Sequence, residues 1–186
     1  ATETKLRQLA DKGCPGYYFY SSERYLVRPA VTAITRILTA DSDEDATVLD
    51  GAAPEIEQLI MAAGTISFFG TRRVVVLPEI DPAAYSDKDL EELNSTLSSL
   101  ENAVVVLGSV FELERSKLKT GKRAQKLIAQ CKALGYTEEL AKPKPFELKM
   151  MMIDRAKEQK TTLPDGAAAA LLERCCEDPF LLENEV

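Results

Sequence analysis

Arg73-Val74-Val75-Val76-Leu77 and Ala103-Val104-Val105-Val106-Leu107 decide the fold of this chain. Each is an almost unbroken run of β-branched residues, the pattern of a strand covered on both faces rather than on one. Between them, Ser86 reads as an N-cap, Asp87 and Asp89 favour the positive end of a helix, and Leu90, Leu93, Leu97 and Leu100 form its apolar stripe. A strand, a crossover helix and a second strand make a parallel pair.

Working outward, Gly16 to Tyr20 (GYYFY) reads as another buried strand, and Ser21-Ser22-Glu23 offers an N-cap and an acidic first turn. The helix that follows keeps Leu26, Ala30, Ala33, Ile34, Ile37 and Leu38 on one face, and Pro29 must either open it or kink it. After an acidic loop, Asp41 to Asp45, a short strand is expected at Ala46 to Leu49. Pro54 then starts a helix with Ile56, Leu59, Ile60 and Ala63 in register, stopped by Gly64. Beyond the second valine strand we expect a basic helix, Ser116 to Cys131, and a polar strand at Tyr136 to Leu140. Strands alternating with helices define the α/β class, with a parallel, doubly wound sheet flanked by helices.

Lys142-Pro143-Lys144-Pro145 forces extended backbone and carries no core pattern, so a boundary is placed there: an α/β domain over 1–141 and the start of a small helical domain over 142–186. The second part reads as helices at Phe146 to Glu158 and Pro164 to Cys175, with a third that Asp178-Pro179 caps and that still runs at Val186. Three short helices without a finished core lead us to expect a piece of a longer protein.

The 186 residues are 45% hydrophobic and 28% charged, a globular composition with enough length for a self-sufficient core. No apolar run approaches the roughly 20 residues that span a bilayer, and no signal-peptide pattern is present, so neither membrane contact nor secretion is expected. The absence of His removes imidazole metal sites and Ser-His or Cys-His nucleophile pairs. Cys14, Cys131, Cys175 and Cys176 lack CxxC spacing and read as small buried hydrophobes in a reducing cytoplasm. The loop after the first strand, Ser21 to Tyr25, has neither the glycines nor the lysine of a phosphate cradle. No GxxxxGK[ST] or GxGxxG occurs anywhere, so neither nucleotide nor any other cofactor is expected. Asp41 to Asp45 lacks calcium-loop spacing and reads as a solvated loop.

Two features remain. Arg115, Lys117, Lys119, Lys122, Arg123 and Lys126 place six cations in twelve residues of a chain whose net charge is −7. They are candidate contacts to DNA or to a neighbouring subunit, with a merely solvated face as the competing reading. Thr65-Ile66-Ser67-Phe68-Phe69-Gly70 carries adjacent aromatics that do not easily enter one core together, so one is expected to point outward as an interaction anchor; the competing reading packs both under the next loop.

The strand at Tyr18 to Tyr20 without a phosphate-loop lysine, the run Phe68-Phe69-Gly70-Thr71-Arg72-Arg73-Val74-Val75-Val76, the run Leu113-Glu114-Arg115-Ser116-Lys117, and Leu182-Glu183-Asn184-Glu185 together resemble the delta subunit of bacterial DNA polymerase III. The resemblance covers essentially the whole chain. It implies an AAA+ type first domain with a degenerate nucleotide site, a helical second domain, and a collar domain not contained in this sequence. It further implies a cytoplasmic clamp-loader subunit, without catalysis of its own, in the polymerase assembly. Its partners would be the sliding clamp, the other loader subunits and primed DNA. The family's clamp-binding pair falls on Phe68 and Phe69, next to Ser67, with Phe followed by Phe where the family has Leu followed by Phe. Two alternatives stay open: a small Rossmann-like nucleotide-binding or hydrolytic enzyme using Glu23 and the acids at 41–45, and a regulatory binding module that uses the sheet only as a scaffold.

Overall fold

The computed structural model describes residues 3–40, 42, 44–64, 72–142 and 144–174. It divides into two compact units, 1–141 and 142–186.

The first unit is built on a five-stranded sheet whose order is β2-β3-β4-β1-β7. The strands are β1 (Gly16–Ser21), β2 (Thr47–Val48), β3 (Arg73–Leu77), β4 (Ala103–Val110) and β7 (Tyr136–Glu139). Every pairing is parallel, with Val75 beside Val105 and Tyr18 beside Leu107. The helices of this unit are α1 (Glu3–Asp11), α2 (Arg24–Thr39), α3 (Ile56–Gly64), α4 (Asp87–Ser99) and α5 (Lys122–Leu134).

The apolar runs are continuous because both sheet faces are buried. Tyr18, Val75, Leu77, Val105 and Leu107 pack with Ile56, Leu59, Leu90, Leu93, Leu97 and Leu127 of α3, α4 and α5. The alternate residues Tyr17, Phe19, Val74, Val76, Val104 and Val106 pack with Leu6 and Leu9 of α1 and Val27, Val31 and Ile34 of α2. At about 1.5–3 kcal/mol for each fully buried Val or Leu, these two layers are the main stabilising term.

Several elements differ from the expectation. α1 gave no sequence signal strong enough to be read. Leu6 and Leu9 are its buried residues among those described, and Lys5 ties it to β7 through Glu138 at 2.7 Å. α2 runs through Pro29 from a start at Arg24, burying Val27, Ala30, Val31 and Ile34, which offsets the lost backbone bond. β2 shrinks to two residues, and α3 begins two residues after Pro54.

The largest correction concerns the basic segment, which is not one helix from Ser116. Leu113–Glu114 (β5) and Lys117–Leu118 (β6) form an antiparallel hairpin, with Glu114 opposite Lys117 and Leu113 opposite Leu118. Lys119 N donates to Glu112 O at 2.7 Å and extends the pairing. The turn places Arg115 at φ 50° and Ser116 at φ 64°, both left-handed. That is the geometry of a two-residue hairpin turn that Asn-Gly normally supplies, and each non-glycine residue held there costs on the order of 1–2 kcal/mol. Alternating Leu and charged residues favour a hairpin here over a helix, and Gly121 precedes the first residue of α5 as its N-cap.

Gly108 is required where β4 meets the segment after β3: a Cβ there would lie 2.2 Å from Pro78 O, and Ile80 N donates to Gly108 O at 2.8 Å.

In the second unit, α6 (Pro145–Glu158) and α7 (Asp165–Arg174) share a small core of Leu148, Met152 and Leu172. Glu147 accepts from Lys144 N at 2.7 Å and caps α6. The third helix expected from Asp178 lies outside the described residues. Among those described, no helix is long and apolar enough to cross a membrane.

Candidate functional site at the carboxyl edge of the sheet

In an open parallel sheet, ligands lodge beyond the carboxyl ends of the strands. Here β1, β4 and the segment after β3 bring Ser21, Ser109 and Glu79 to that edge. Ser21 Oγ donates to Leu140 O at 2.5 Å and accepts from Glu23 N at 3.2 Å. Ser109 Oγ donates to Ile80 O at 2.7 Å and accepts from the Tyr18 hydroxyl at 2.9 Å. Burial pushes the Tyr18 phenol well above its ordinary range, so it remains a donor. Glu79 is paired with Arg24, and Arg28 approaches its other oxygen at 3.9 Å. The hydroxyls and the carboxylate that could meet a ligand are therefore engaged with the chain itself. Sequence reasoning missed the Arg24–Glu79 pair, which joins residues far apart in the chain. The available signal was the Pro78-Glu79 that follows β3.

Among the described residues, the acids of the enzymatic alternative are not brought together. Glu44 sits 3.3 Å from Arg73 at the amino end of β3, whereas Glu23 follows the carboxyl end of β1. Asp41 and Asp43 lie outside the described residues. Burial pushes the Cys131 thiol up to about 12, which leaves it inert as a nucleophile. Among the described residues, no group of three or more Cys, Asp or Glu could hold a metal ion.

The basic residues are divided between two elements: Arg115 and Lys117 on the hairpin, Lys119 just after it, and Lys122, Arg123 and Lys126 on α5. Three have acidic partners. Lys119 lies 3.5 Å from Glu112, Arg123 2.8 Å from Asp87, and Lys126 3.7 Å from Glu91. The hydrogen bond from Arg123 holds the Asp87 carboxyl below its usual range. Arg115, Lys117 and Lys122 have no ion-pair partner among the described residues.

The anchor candidates Ser67, Phe68 and Phe69 lie outside the described residues. The elements on either side of them are α3, which ends at Gly64 with Ile60 and Met61 exposed, and β3, which begins at Arg73. Arg72 donates to Gly13 O at 3.0 Å.

No protein-family model matches the sequence, and the comparison with curated proteins finds no match. Solved structures do match. The DNA clamp loader delta protein of Bacillus subtilis superposes with a TM-score of 0.61 at 23% identity, over 92% of this chain and 52% of that one. Domain III of the Thermotoga maritima replication initiation protein DnaA gives 0.54 at 12% identity, covering 98% and 78% of the two chains. The Thermotoga maritima RuvB Holliday junction branch migration motor gives 0.53 at 13%, covering 98% and 58%. At these identities the likeness shows the fold alone, a parallel sheet flanked by helices. The chain spans about half the length of the delta and RuvB chains (52% and 58%).

Proposed function

We propose that this chain is a clamp-loader subunit of the delta type, which binds a ring-shaped sliding clamp and favours its open form without hydrolysing ATP itself. The observation that carries the reading is the fit to the Bacillus subtilis DNA clamp loader delta protein over 92% of the chain. The edge where Arg24 pairs with Glu79, and where the Ser21–Tyr25 loop lacks glycine and lysine, supports a subunit that leaves nucleotide hydrolysis to its neighbours. Its partners are then the clamp and the other loader subunits, with primed DNA inside the assembly, in the cytoplasm. Ser67, Phe68 and Phe69 supply the apolar anchor on the clamp.

The mechanism follows from differential binding. A ring closed by its own interface opens only if the partner binds the open form more tightly than the closed one; affinity that ignores the difference shifts nothing. The test compares the affinity of this chain for the intact clamp of the same organism with that for a clamp subunit whose ring interface has been broken. Tighter binding to the separated subunit is expected. Equal affinity for both would remove the ring-opening role, and no binding to either by the folded chain would remove the assignment.

A further inference from the structure

We infer that the hairpin 112–119, together with the first turn of α5, is a sequence-independent contact for the phosphate backbone of a nucleic acid. The inference deepens the proposed function, on whose primed-DNA partner it rests, and it is argued from the hairpin's own geometry.

The first observation is the turn. Positive φ at both central residues marks a type I′ hairpin connection, which glycine or asparagine would supply with little strain. This chain holds Arg115 and Ser116 there instead, at φ 50° and 64°. A strained backbone position that keeps a long cation at an exposed tip points to a role for that cation.

The second observation is the way charge is distributed. Segment 112–126 carries six cations against the carboxylates of Glu112 and Glu114, in a chain of net charge −7. Lys119, Arg123 and Lys126 are matched by acids, whereas Arg115, Lys117 and Lys122 have no ion-pair partner among the described residues. Lys122 also opens α5, where no acidic residue lies in the first turn and Gly121 offers no side-chain cap. Cations at the positive end of a helix are unfavourable unless an anion joins them. A phosphate there would meet both the uncapped amides and Lys122.

The third observation is composition. Cores of protein–protein interfaces are poor in Lys and rich in aromatics. This strip carries four lysines, and the aromatic next to it, Phe111, is buried. Flexible point charges without an aromatic anchor suit phosphates better than a protein pocket.

The test is fluorescence anisotropy of the full chain with labelled single-stranded and duplex oligonucleotides over a series of KCl concentrations. Non-specific dissociation constants of roughly 10⁻⁴ to 10⁻⁶ M, independent of sequence, are expected. Arg115→Glu with Lys117→Glu should weaken binding at least tenfold and flatten the slope of log K against log[salt] by about two units. Arg115→Gly with Ser116→Gly separates structure from contact. Its melting temperature should be unchanged or higher, because the turn strain is gone, while the salt slope falls by about one. The proposal is overturned if the wild-type chain does not bind, or if the folded glycine variant keeps its affinity and slope. It is also overturned if polyglutamate binds as tightly as DNA, which would assign the strip to an acidic protein.

Discussion

Tyr18 on β1 and Ser109 on β4 are joined by a buried hydrogen bond, the phenol donating to the serine Oγ at 2.9 Å. Ser109 Oγ in turn donates a hydrogen bond to Ile80 O at 2.7 Å. One chain of donors thus ties two central strands to the segment that follows β3, and it uses up the Ser109 hydroxyl near the carboxyl edge of the sheet. Ser109→Ala strands the Tyr18 hydroxyl and the Ile80 carbonyl in the core, at a cost of about 2 kcal/mol in urea unfolding. Adding Tyr18→Phe should recover part of that loss, a coupling that a double-mutant cycle reads directly. Additive losses would show that water already serves these groups.

Gly108→Ala is expected to destabilise by about 3 kcal/mol, or to prevent folding, since the new Cβ would meet the Pro78 carbonyl at 2.2 Å, and backbone cannot step aside as a flexible side chain can. Gly121→Ala is the control, with nothing within 4 Å of the added Cβ. Near-equal melting temperatures for the two variants would refute the close-approach argument.

The two valine strands and the α4 stripe were legible because each is a local pattern dictated by burial: β-branched runs for strands covered on both faces, leucines at helical spacing for one packed face. The hairpin was misread as helix because six cations in twelve residues carry no apolar period, and the Leu113 and Leu118 pairing that defines the hairpin was overlooked beneath the charge. The Arg24–Glu79 pair was not legible, since its one local signal, Pro78-Glu79 after β3, names no partner on a different element. As for the candidate site, its missing phosphate cradle is visible in the bare sequence. What takes the cradle's place is a property of the fold.

Alkaline stability offers a check on the buried thiol. Burial raises Cys131 from an ordinary 9.0 to about 12. A raised folded value means that the stabilisation is complete below pH 9 and is lost as pH climbs towards 12. Unfolding free energies from urea titrations between pH 8 and 11 should therefore fall more steeply for the wild type than for Cys131→Ala, by up to about 1.4 kcal/mol per pH unit. Tyr17 and Tyr85, also raised to about 12 by burial, act in the same direction and remain in both proteins. Parallel slopes would mean that the thiol is not protected from solvent.

Titration calorimetry with Mg-ATP should show no binding in the micromolar range. The loop after β1 lacks the glycines that let backbone amides approach phosphates, Glu23 stands at the start of α2, and Arg24 is already held by Glu79. Releasing those arginines with Glu79→Gln should not create a site, because the loop chemistry is still missing. Micromolar affinity in the wild type would overturn the argument from the loop.

Phe68 and Phe69 carry the proposed clamp anchor, and their two readings separate in one experiment. A core aromatic cut to alanine costs about 3–5 kcal/mol of folding stability, enough to lower the melting temperature of a domain of this size by many degrees. An interface anchor cut to alanine costs about 2–4 kcal/mol of binding, a loss of some thirtyfold to a thousandfold in affinity, while the free protein stays folded. We expect at least one of Phe68→Ala and Phe69→Ala to melt within a degree or two of the wild type and yet lose the clamp. Exposed Ile60 and Met61 on the preceding helix supply a control: alanine at either should leave stability nearly untouched, and a loss of clamp binding there would extend the anchor onto α3. If both phenylalanine variants unfold, the aromatics belong to the core. If both stay folded and still hold the clamp, the anchor must be sought elsewhere on the molecule.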